Sequence, residues 1–298
     1  MASTPYLTTT TTSALNNELL QPLTVDPNIH TIIMNHLYII SLFGIGAIVM
    51  RGAGCTVNDL WDRRYDQHVA RTKNRPLVNG SVTPQQALQF VALQSSIGLC
   101  VLLSLQPHVV DCIYWGCLSL PLVVIYPTMK RFFNYPQLVL GMTFNWGAIL
   151  GWVAVHGSSN IDWTIVGPLY GSGITWTLIY DTLYAHQDKK DDAKLHLRST
   201  ALSFGPNNDR QRTILHGLAA LTWFQWLLVG YNAFDTYGAF IPVYSCGVAL
   251  AYSHLIWQIQ TADFDNPNNL AQRFLRNNTT GAIVAGAIST ALAAQILL

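Results

Sequence analysis

The sequence predicts an all-α, polytopic membrane protein with about eight transmembrane helices around a central cavity. The 298 residues are 50% hydrophobic and only 10% charged, whereas a soluble domain carries about 25% charged residues. The apolar residues form long continuous runs, several of which reach the roughly 20 residues that a helix needs to cross a hydrocarbon core. The connections between the runs alternate between basic and non-basic, as repeated crossings of a membrane require.

Eight apolar runs are the predicted membrane helices. The first is short as written and extends back to about residue 29, so that it is long enough to span. We expect residues 29–298 to form one transmembrane domain. The eight runs are residues 37–50, 88–105, 109–126, 138–155, 163–180, 214–231, 234–259 and 279–298.

The amino-terminal segment differs in composition from the rest of the chain. Residues 1–28 are rich in Thr, Ser and Asn and contain no Lys or Arg. This composition predicts a disordered polar tail. It lacks the Arg-rich amphipathic pattern of a mitochondrial presequence, so no presequence is visible.

The distribution of the basic residues predicts the orientation of the chain. Fifteen of the sixteen Lys and Arg residues lie in four connections, within residues 61–80, 130–131, 186–213 and 273–276. The positive-inside rule places these connections on the cytoplasm-like face, which is the cytosol or the mitochondrial matrix. The net charge of +1 gives no indication of a nucleic-acid partner.

The sixteenth basic residue, Arg51, lies within an apolar run and precedes an acidic run. Asn58, Asp62 and Asp66 are spaced four apart, so in a helix they share one face, while Asp59 points elsewhere. Arg51 lies seven residues before Asn58, on nearly the same face and roughly 10 Å deeper. A charge at that depth is costly, so we expect a buried arginine that faces a polar cavity.

A second acidic run follows more than a hundred residues later. Asp188 and Asp192 each fall within about 20° of Asp181 on a helix, whereas Asp191 points elsewhere. Carboxylates that converge at a membrane surface repel one another, and Mg²⁺ with a substrate diphosphate removes that repulsion. The two runs therefore predict a metal–diphosphate site. The alternative is that they are helix caps and surface ion pairs.

Other polar residues suit a polyanionic substrate. Tyr126 and Lys130 are four apart at the end of a predicted helix, and Arg75 follows the first acidic run. Cationic side chains can neutralise a departing diphosphate. Arg51 could clamp a substrate carboxylate, or it could pair with an aspartate. Asn145 could bond to a neighbouring helix or face the cavity.

Over residues 38–298 these motifs resemble the UbiA superfamily of intramembrane aromatic prenyltransferases. The superfamily motif Asn-Asp-x-x-Asp-x-x-x-Asp begins here at Asn58, and a Tyr-x-x-x-Lys element begins at Tyr126. Met-Arg-Gly-Ala-Gly-Cys-Thr, Gly-Met-Thr-Phe-Asn-Trp-Gly and Tyr-Ala-His-Gln-Asp-Lys-Lys-Asp-Asp resemble the eukaryotic 4-hydroxybenzoate polyprenyltransferase subgroup of ubiquinone biosynthesis. The resemblance implies Mg²⁺-dependent transfer of a polyprenyl group from polyprenyl diphosphate to the ring carbon ortho to the hydroxyl of 4-hydroxybenzoate.

The resemblance also implies roles for the candidate residues. The catalytic group is Asp62, Asp66, Asp181, Asp188, Asp192 and Lys130. Substrate binding falls to Arg51, Asn58, Arg75, Tyr126 and Lys130. The Mg²⁺ ligands are Asn58, Asp62, Asp66, Asp188 and Asp192. Asp181 either stabilises the allylic cation or takes the ring proton.

The chain departs from the family pattern in one respect. Family members have nine membrane helices, and the first brings an Asp-Lys-Pro-x-Gly element that is not found here. Two alternatives stay open: a farnesyl-type enzyme acting on another phenolic acid, or a catalytically impaired isoform without that helix. The expected location is the mitochondrial inner membrane with the active site facing the matrix. The expected partners are the two substrates, membrane lipid and other quinone-biosynthesis proteins.

Overall fold

The protein is described here by a computed structural model that covers residues 27–69, 71–234 and 241–297. Within these ranges it is almost entirely helical, with short 3₁₀ turns at Tyr126–Thr128 and Ser158–Asn160. The helices are α1 (Pro27–Asp66), α2 (Pro76–Asn79), α3 (Pro84–Leu103), α4 (Val109–Ile125), α5 (Met129–Phe132), α6 (Pro136–Phe144), α7 (Gly147–His156), α8 (Trp163–Ala185), α9 (Lys189–Lys194), α10 (Thr200–Ser203), α11 (Asn208–Ala233), α12 (Ile241–Gln260) and α13 (Pro267–Leu297).

The all-helical prediction is confirmed, and each of the eight predicted runs contains helix among its described residues. Five segments are long and apolar enough to cross a membrane, namely Ile33–Asp66, Pro84–Leu103, Val109–Phe132, Pro136–His156 and Asn208–Ala233. The remaining three runs correspond to α8, α12 and α13. The seventh run does not begin at Phe234 as predicted, because Phe234 is the C-cap of α11 and its backbone N–H bonds to the carbonyl of Gly230.

The chain divides into two units, Met1–Leu42 and Phe43–Leu298. Of the first unit, the structure describes residues 27–42, which are helical. The predicted polar tail over residues 1–28 therefore lies almost wholly outside the described residues. All the candidate site residues belong to the second unit.

The core of the second unit is formed by four of its longest helices. α8 and α11 share the most extensive contact, and α12 packs against both α11 and α13. The buried side chains include Ile179, Leu215, Val248 and Leu270, none of which is more than 1% exposed. α8 is thus held on a rigid support, and it is the helix that ends beside the second acidic run.

The other helices leave apolar side chains on the surface. Within residues 31–66 of α1, the buried side chains among those described are Ala53 and Asp66. Ile48 on α1 is 77% exposed and Val110 on α4 is 75% exposed. Exposed aliphatic side chains along helices of spanning length are what a lipid environment accommodates.

Asn145 marks the break between α6 and α7, and the structure settles its role. Its side-chain amide donates to the carbonyl of Gly141 at 2.8 Å and to the hydroxyl of Thr177 on α8 at 3.0 Å. Asn145 therefore bonds to a neighbouring helix. A polar side chain in a membrane helix needs such a partner, because lipid offers none.

Gly173 on α8 makes this approach possible, which leads to a stability prediction. A Cβ added at Gly173 would overlap the side chain of Asn145. We expect Gly173→Ala to lower the free energy of unfolding by about 1–3 kcal/mol, because the Asn145 amide would have to leave its hydrogen bonds. Thermal unfolding of the detergent-solubilised protein measures the change.

The matched control for Gly173 is Gly167→Ala on the same helix, where nothing lies within 4 Å of the added Cβ. Equal unfolding temperatures for the two variants would contradict the close packing of Asn145 against α8.

Candidate active site

Both acidic runs line one small cavity, of about 50 Å³. It lies where the end of α1, the connection after it, α5 and the segment around α9 come together. Seven of the ten predicted site residues line it: Asn58, Asp62, Asp66, Arg75, Lys130, Asp188 and Asp192. Acidic side chains more than a hundred residues apart thus face the same space.

The helical register of α1 explains the first half of the cavity. Asn58, Asp62 and Asp66 are one turn apart and line the cavity together, as their spacing predicts. The chain reverses after Asp66, and the Thr72 hydroxyl donates to the Asp66 carbonyl at 3.0 Å. The Arg63 side chain donates to the carbonyl of Leu77 at 2.9 Å. These bonds bring the basic connection back over the acidic face.

The second half of the cavity is joined to the first by Arg71. Its Nε donates to Oδ1 of Asp188 at 2.9 Å, and its Nη2 makes a second, shorter bond to Oδ2. Its Nη1 donates to the Tyr184 hydroxyl at 2.8 Å. Burial alone favours the neutral guanidine, but the bonds to Asp188 hold the pKa of Arg71 above its usual range. Arg71 therefore ties the connection after α1 to the end of α8.

Two further arginines pair with the first acidic run. Arg75 donates from Nη1 to Asp66 at 2.9 Å and to Asp59 at 2.7 Å. Arg131 lies 3.5 Å from Asp62. Asp59 is not among the residues that line the cavity, as predicted from its helical phase, but it shares Arg75 with Asp66 because the long arginine side chain reaches both.

These ion pairs determine what the cavity can hold. Among the described residues, no three His, Cys, Asp or Glu side chains are grouped so that they could hold a metal ion. The carboxylates of Asp62, Asp66 and Asp188 are each paired with an arginine. The donors facing the cavity are nonetheless carboxylate and amide oxygens, the ligand type that Mg²⁺ prefers. The donor set fits Mg²⁺, but a cavity of about 50 Å³ would need its arginines to move before a diphosphate could enter.

Lys130 is the cation placed between the two acidic runs. It lines the cavity, and among opposite charges it acts most strongly on the carboxylates of Asp62, Asp181 and Asp192. Asp192 is only 4% exposed. Burial raises the pKa of Asp192 to about 6, against the lowering effect of Lys130. Lys130 thus offsets part of the repulsion that converging carboxylates create.

Asp181 and Tyr126 lie beside the cavity rather than on its wall. Asp181 is close enough to interact electrostatically with Lys130 and with Asp188. Tyr126 is also close enough to Asp181 and to Asp62 to interact with them electrostatically. The two predicted residues therefore belong to the same neighbourhood as the acidic runs.

Arg51 is placed differently from the prediction. It was predicted to be a buried arginine, but its side chain is exposed and it is not among the residues that line the cavity. α1 packs loosely, since the buried side chains among the described residues from 31 to 66 are Ala53 and Asp66. Arg51 does lie near Tyr180 on α8, close enough for its charge to act on that phenol.

The sequence reasoning missed Arg71 and Arg131 as site residues. Both had been assigned only to the basic connections that indicate topology. Their closeness in sequence to predicted site residues could have identified them. Arg131 directly follows Lys130, and Arg71 lies five residues after Asp66. Their partners depend on how distant segments fold together, so the motif spacing alone could not identify them.

A larger cavity, of about 600 Å³, lies between α11 and α12 and is lined in part by His216, Tyr252 and Trp257. Among the described residues, its wall carries no Asp, Glu, Lys or Arg. It therefore lacks the charges that a metal or a phosphorylated substrate needs, and the small acidic cavity is the candidate active site.

The chain is similar to known proteins in sequence and in fold. Residues 31–278 match the UbiA prenyltransferase family. Over 248 residues, or 83% of this chain, the sequence is 46% identical to "4-hydroxybenzoate polyprenyltransferase, mitochondrial" of Aedes aegypti and spans 53% of that protein. The human protein of the same name is 47% identical over 83% of this chain, and the match spans 63% of the human protein. The Schizosaccharomyces pombe protein of the same name is 43% identical over 86% of this chain, and the match spans 69% of the yeast protein.

Two solved structures share the fold. The apo structure of a UbiA homolog from Aeropyrum pernix K1 superposes with a TM-score of 0.71 at 23% identity, covering 86% of this chain and 90% of that one. A UbiA homolog from Archaeoglobus fulgidus, bound to GPP and Mg²⁺, superposes with a TM-score of 0.57 at 16% identity, covering 85% of this chain and 93% of that one. At these identities the likeness establishes the helical architecture.

Proposed function

This chain belongs to the UbiA prenyltransferase family, and on that premise we propose that it transfers a polyprenyl group from polyprenyl diphosphate to 4-hydroxybenzoate. The new bond forms at the ring carbon ortho to the hydroxyl. The observation that supports the proposal is that both acidic runs and Lys130 line one cavity. The relatives named 4-hydroxybenzoate polyprenyltransferase support the choice of substrates.

The polar residues of the cavity would hold the diphosphate end of the donor. We propose that Mg²⁺ is held by Asn58, Asp62, Asp66, Asp188 and Asp192, the oxygen donors that face the cavity. When bound, Mg²⁺ would neutralise the diphosphate and favour its departure. Lys130 and Arg75, both on the cavity wall, would bind the diphosphate oxygens from the protein side.

The bond changes follow from this arrangement. The allylic C–O bond breaks and pyrophosphate leaves with the electron pair, next to Lys130. The ring carbon of the acceptor then bonds to the allylic carbon, and the ring proton is lost to a base. We propose that Asp181, which lies near Tyr126 and Lys130, supplies negative charge beside the allylic carbon. Val69 and Leu197, the apolar side chains on the cavity wall, would help to exclude water that would otherwise capture the cation.

Arg51 is proposed to bind the acceptor carboxylate, which gives a specific prediction. Its exposed guanidinium lies near Tyr180, on nearly the same face of α1 as Asn58 and about two turns earlier. We expect Arg51→Ala to raise KM for 4-hydroxybenzoate by about tenfold or more, because a charge-assisted hydrogen bond is lost. KM for the prenyl diphosphate should stay unchanged, since the cavity lies elsewhere. Steady-state assays in membranes, with each substrate varied in turn, give both constants.

Arg64→Ala is the matched control for Arg51, because Arg64 is an exposed arginine on the same helix. If acceptor dependence were the same in Arg51→Ala and in the unaltered protein, Arg51 would have no role as the carboxylate clamp.

The protein is an integral membrane protein, given its apolar helices and its family. We propose that it resides in the mitochondrial inner membrane with the cavity facing the matrix, and that it associates there with other quinone-biosynthesis proteins. The relatives named as mitochondrial support the organelle. The basic residues of the connections around the cavity support the orientation under the positive-inside rule.

The proposed activity is tested by one assay. Purified membranes containing the protein are incubated with 4-hydroxybenzoate or other phenolic acids, with prenyl diphosphates of several lengths, and with Mg²⁺ added or chelated. The proposal expects Mg²⁺-dependent prenylation of 4-hydroxybenzoate. A preference for another phenolic acid with farnesyl diphosphate would instead identify the farnesyl-type alternative, and product formation that is unaffected by chelation would refute the metal site.

A further inference from the structure

The segment that follows the second acidic run connects the two sides of the cavity. The backbone N–H of Leu197 donates to the carbonyl of Asp192 at 2.9 Å, and the next N–H, of Arg198, donates to the carbonyl of Lys130 at 2.7 Å. Leu197 itself lines the cavity. Two consecutive peptide groups thus set the spacing between Asp192 and Lys130.

The side chain of Arg198 strengthens this connection from outside the cavity. Its Nη1 donates to the carbonyl of Phe132 at 2.6 Å and to the side-chain oxygen of Asn134 at 3.1 Å. Asn134 is held in turn by the Ser203 hydroxyl, which donates to its carbonyl at 2.7 Å. Arg198 is exposed and is not among the cavity-lining residues, so it has no direct path to a bound diphosphate.

Lys130 needs such external support because of where it lies. It is on α5, a helix of four residues that follows a 3₁₀ turn and is capped by Phe133, whose backbone is extended. A helix this short is not stable by its own hydrogen bonds. The carbonyls of Lys130 and Phe132, near its end, accept from Arg198 instead. A cationic side chain at a helix C-terminus satisfies those carbonyls and interacts favourably with the helix dipole.

We infer that Arg198 is a positioning residue that fixes the Lys130 segment in place, so that the Lys130 ammonium is held where the diphosphate binds. The inference rests on the proposed function. The lysine side chain is flexible, and its reach into the cavity is defined only if the backbone beneath it is fixed. Arg198 fixes that backbone from one side through its own N–H and from the other through the Phe132 carbonyl and Asn134.

The test removes the guanidinium and measures binding and turnover separately. Arg198→Gln is compared with the unaltered protein for equilibrium binding of farnesyl diphosphate without acceptor, and for both KM values and kcat. We expect farnesyl diphosphate to bind about tenfold more weakly, with KM for 4-hydroxybenzoate unchanged, because only Lys130 is displaced. Arg198→Lys retains a cationic donor and should recover most of the binding.

A double-mutant cycle with Lys130→Gln identifies the route of the effect. If Arg198 acts through Lys130, then Arg198→Gln should weaken binding much less in the Lys130→Gln background. An equal loss in both backgrounds would overturn the inference, as would unchanged binding in Arg198→Gln. Full binding in Lys130→Gln would overturn it too, and would refute the proposed role of Lys130 without affecting the metal assignment.

Two controls separate positioning from a general loss of folded protein. A smaller folded fraction lowers kcat but leaves both KM values unchanged, whereas displaced Lys130 raises KM for the prenyl diphosphate. If Arg198→Gln does not fold, Asn134→Ala removes one of the same hydrogen bonds and should weaken farnesyl diphosphate binding in the same direction. Arg210→Gln, at an exposed arginine near the start of α11, should leave binding unchanged.

Discussion

Asp188→Asn is expected to remove most prenyl transfer, by about a hundredfold or more, because one carboxylate charge is lost from the group proposed to hold Mg²⁺ and diphosphate. Asp188 is 8% exposed, so little water reaches the position to compensate for the lost carboxylate charge. Turnover is measured in membranes supplied with labelled prenyl diphosphate and 4-hydroxybenzoate. The Mg²⁺ concentration for half-maximal rate should also rise in the variant.

The ion pair with Arg71 complicates this prediction and can be separated from it. Asn at position 188 also leaves the Arg71 guanidinium without its bidentate partner, and removing one member of a partly buried pair destabilises a fold. Arg71→Gln breaks the same pair while keeping the carboxylate. If that variant lost as much turnover as Asp188→Asn and kept a normal Mg²⁺ requirement, the ion pair rather than the metal would explain the loss.

Asp62→Asn applies the same test to the other acidic run. Asp62 comes from α1 and lies 3.5 Å from Arg131, so its structural partner differs from that of Asp188. We expect a comparable loss of turnover in both variants. The control is Asp191→Asn, because Asp191 pairs with Lys194 at 3.6 Å and is not among the cavity-lining residues. Rates near those of the unaltered protein in Asp62→Asn and Asp188→Asn would refute the metal assignment.

The sequence predicted those features that depend on local geometry. Apolar runs predict helices because each residue in a membrane must bond its backbone within its own segment. The four-residue spacing of Asn58, Asp62 and Asp66 predicts a shared face, which all three residues present to the cavity. The meeting of the two runs was predicted because both lie on the same basic face of the membrane. Carboxylates that converge there repel one another, and Mg²⁺ with a diphosphate would remove that repulsion.

The features that could not be predicted depend on tertiary contacts. The spacing of the motifs does not reveal that Arg71 reaches the side chain of Asp188, because 117 residues separate them. The exposure of Arg51 depends on which helices cover α1. The sequence suggested burial only because a charged side chain exposed to lipid is energetically costly. Asn145 was left undecided because its partner, Thr177, is on another helix.

Lys130→Met is expected to change the binding of Mg²⁺ and of farnesyl diphosphate in opposite directions. The Lys130 ammonium lines the cavity and acts on the carboxylates of Asp62 and Asp192. Without it, the cavity is more negative and attracts a cation more strongly, while a diphosphate loses a positive partner. We expect Mg²⁺ alone to bind as tightly as before or more tightly, and farnesyl diphosphate to bind about tenfold or more weakly.

Turnover in Lys130→Met should fall further than binding does, because negative charge grows on the leaving pyrophosphate in the transition state and Lys130 lies where it departs. Lys130→Arg keeps the charge and should retain part of the rate. Lys190→Met is the control, since Lys190 is exposed and is not among the cavity-lining residues. Isothermal titration with Mg²⁺ and with farnesyl diphosphate separates the two effects. If both ligands bound more weakly in Lys130→Met, general damage to the cavity would be the explanation, and the specific role of the ammonium would be excluded.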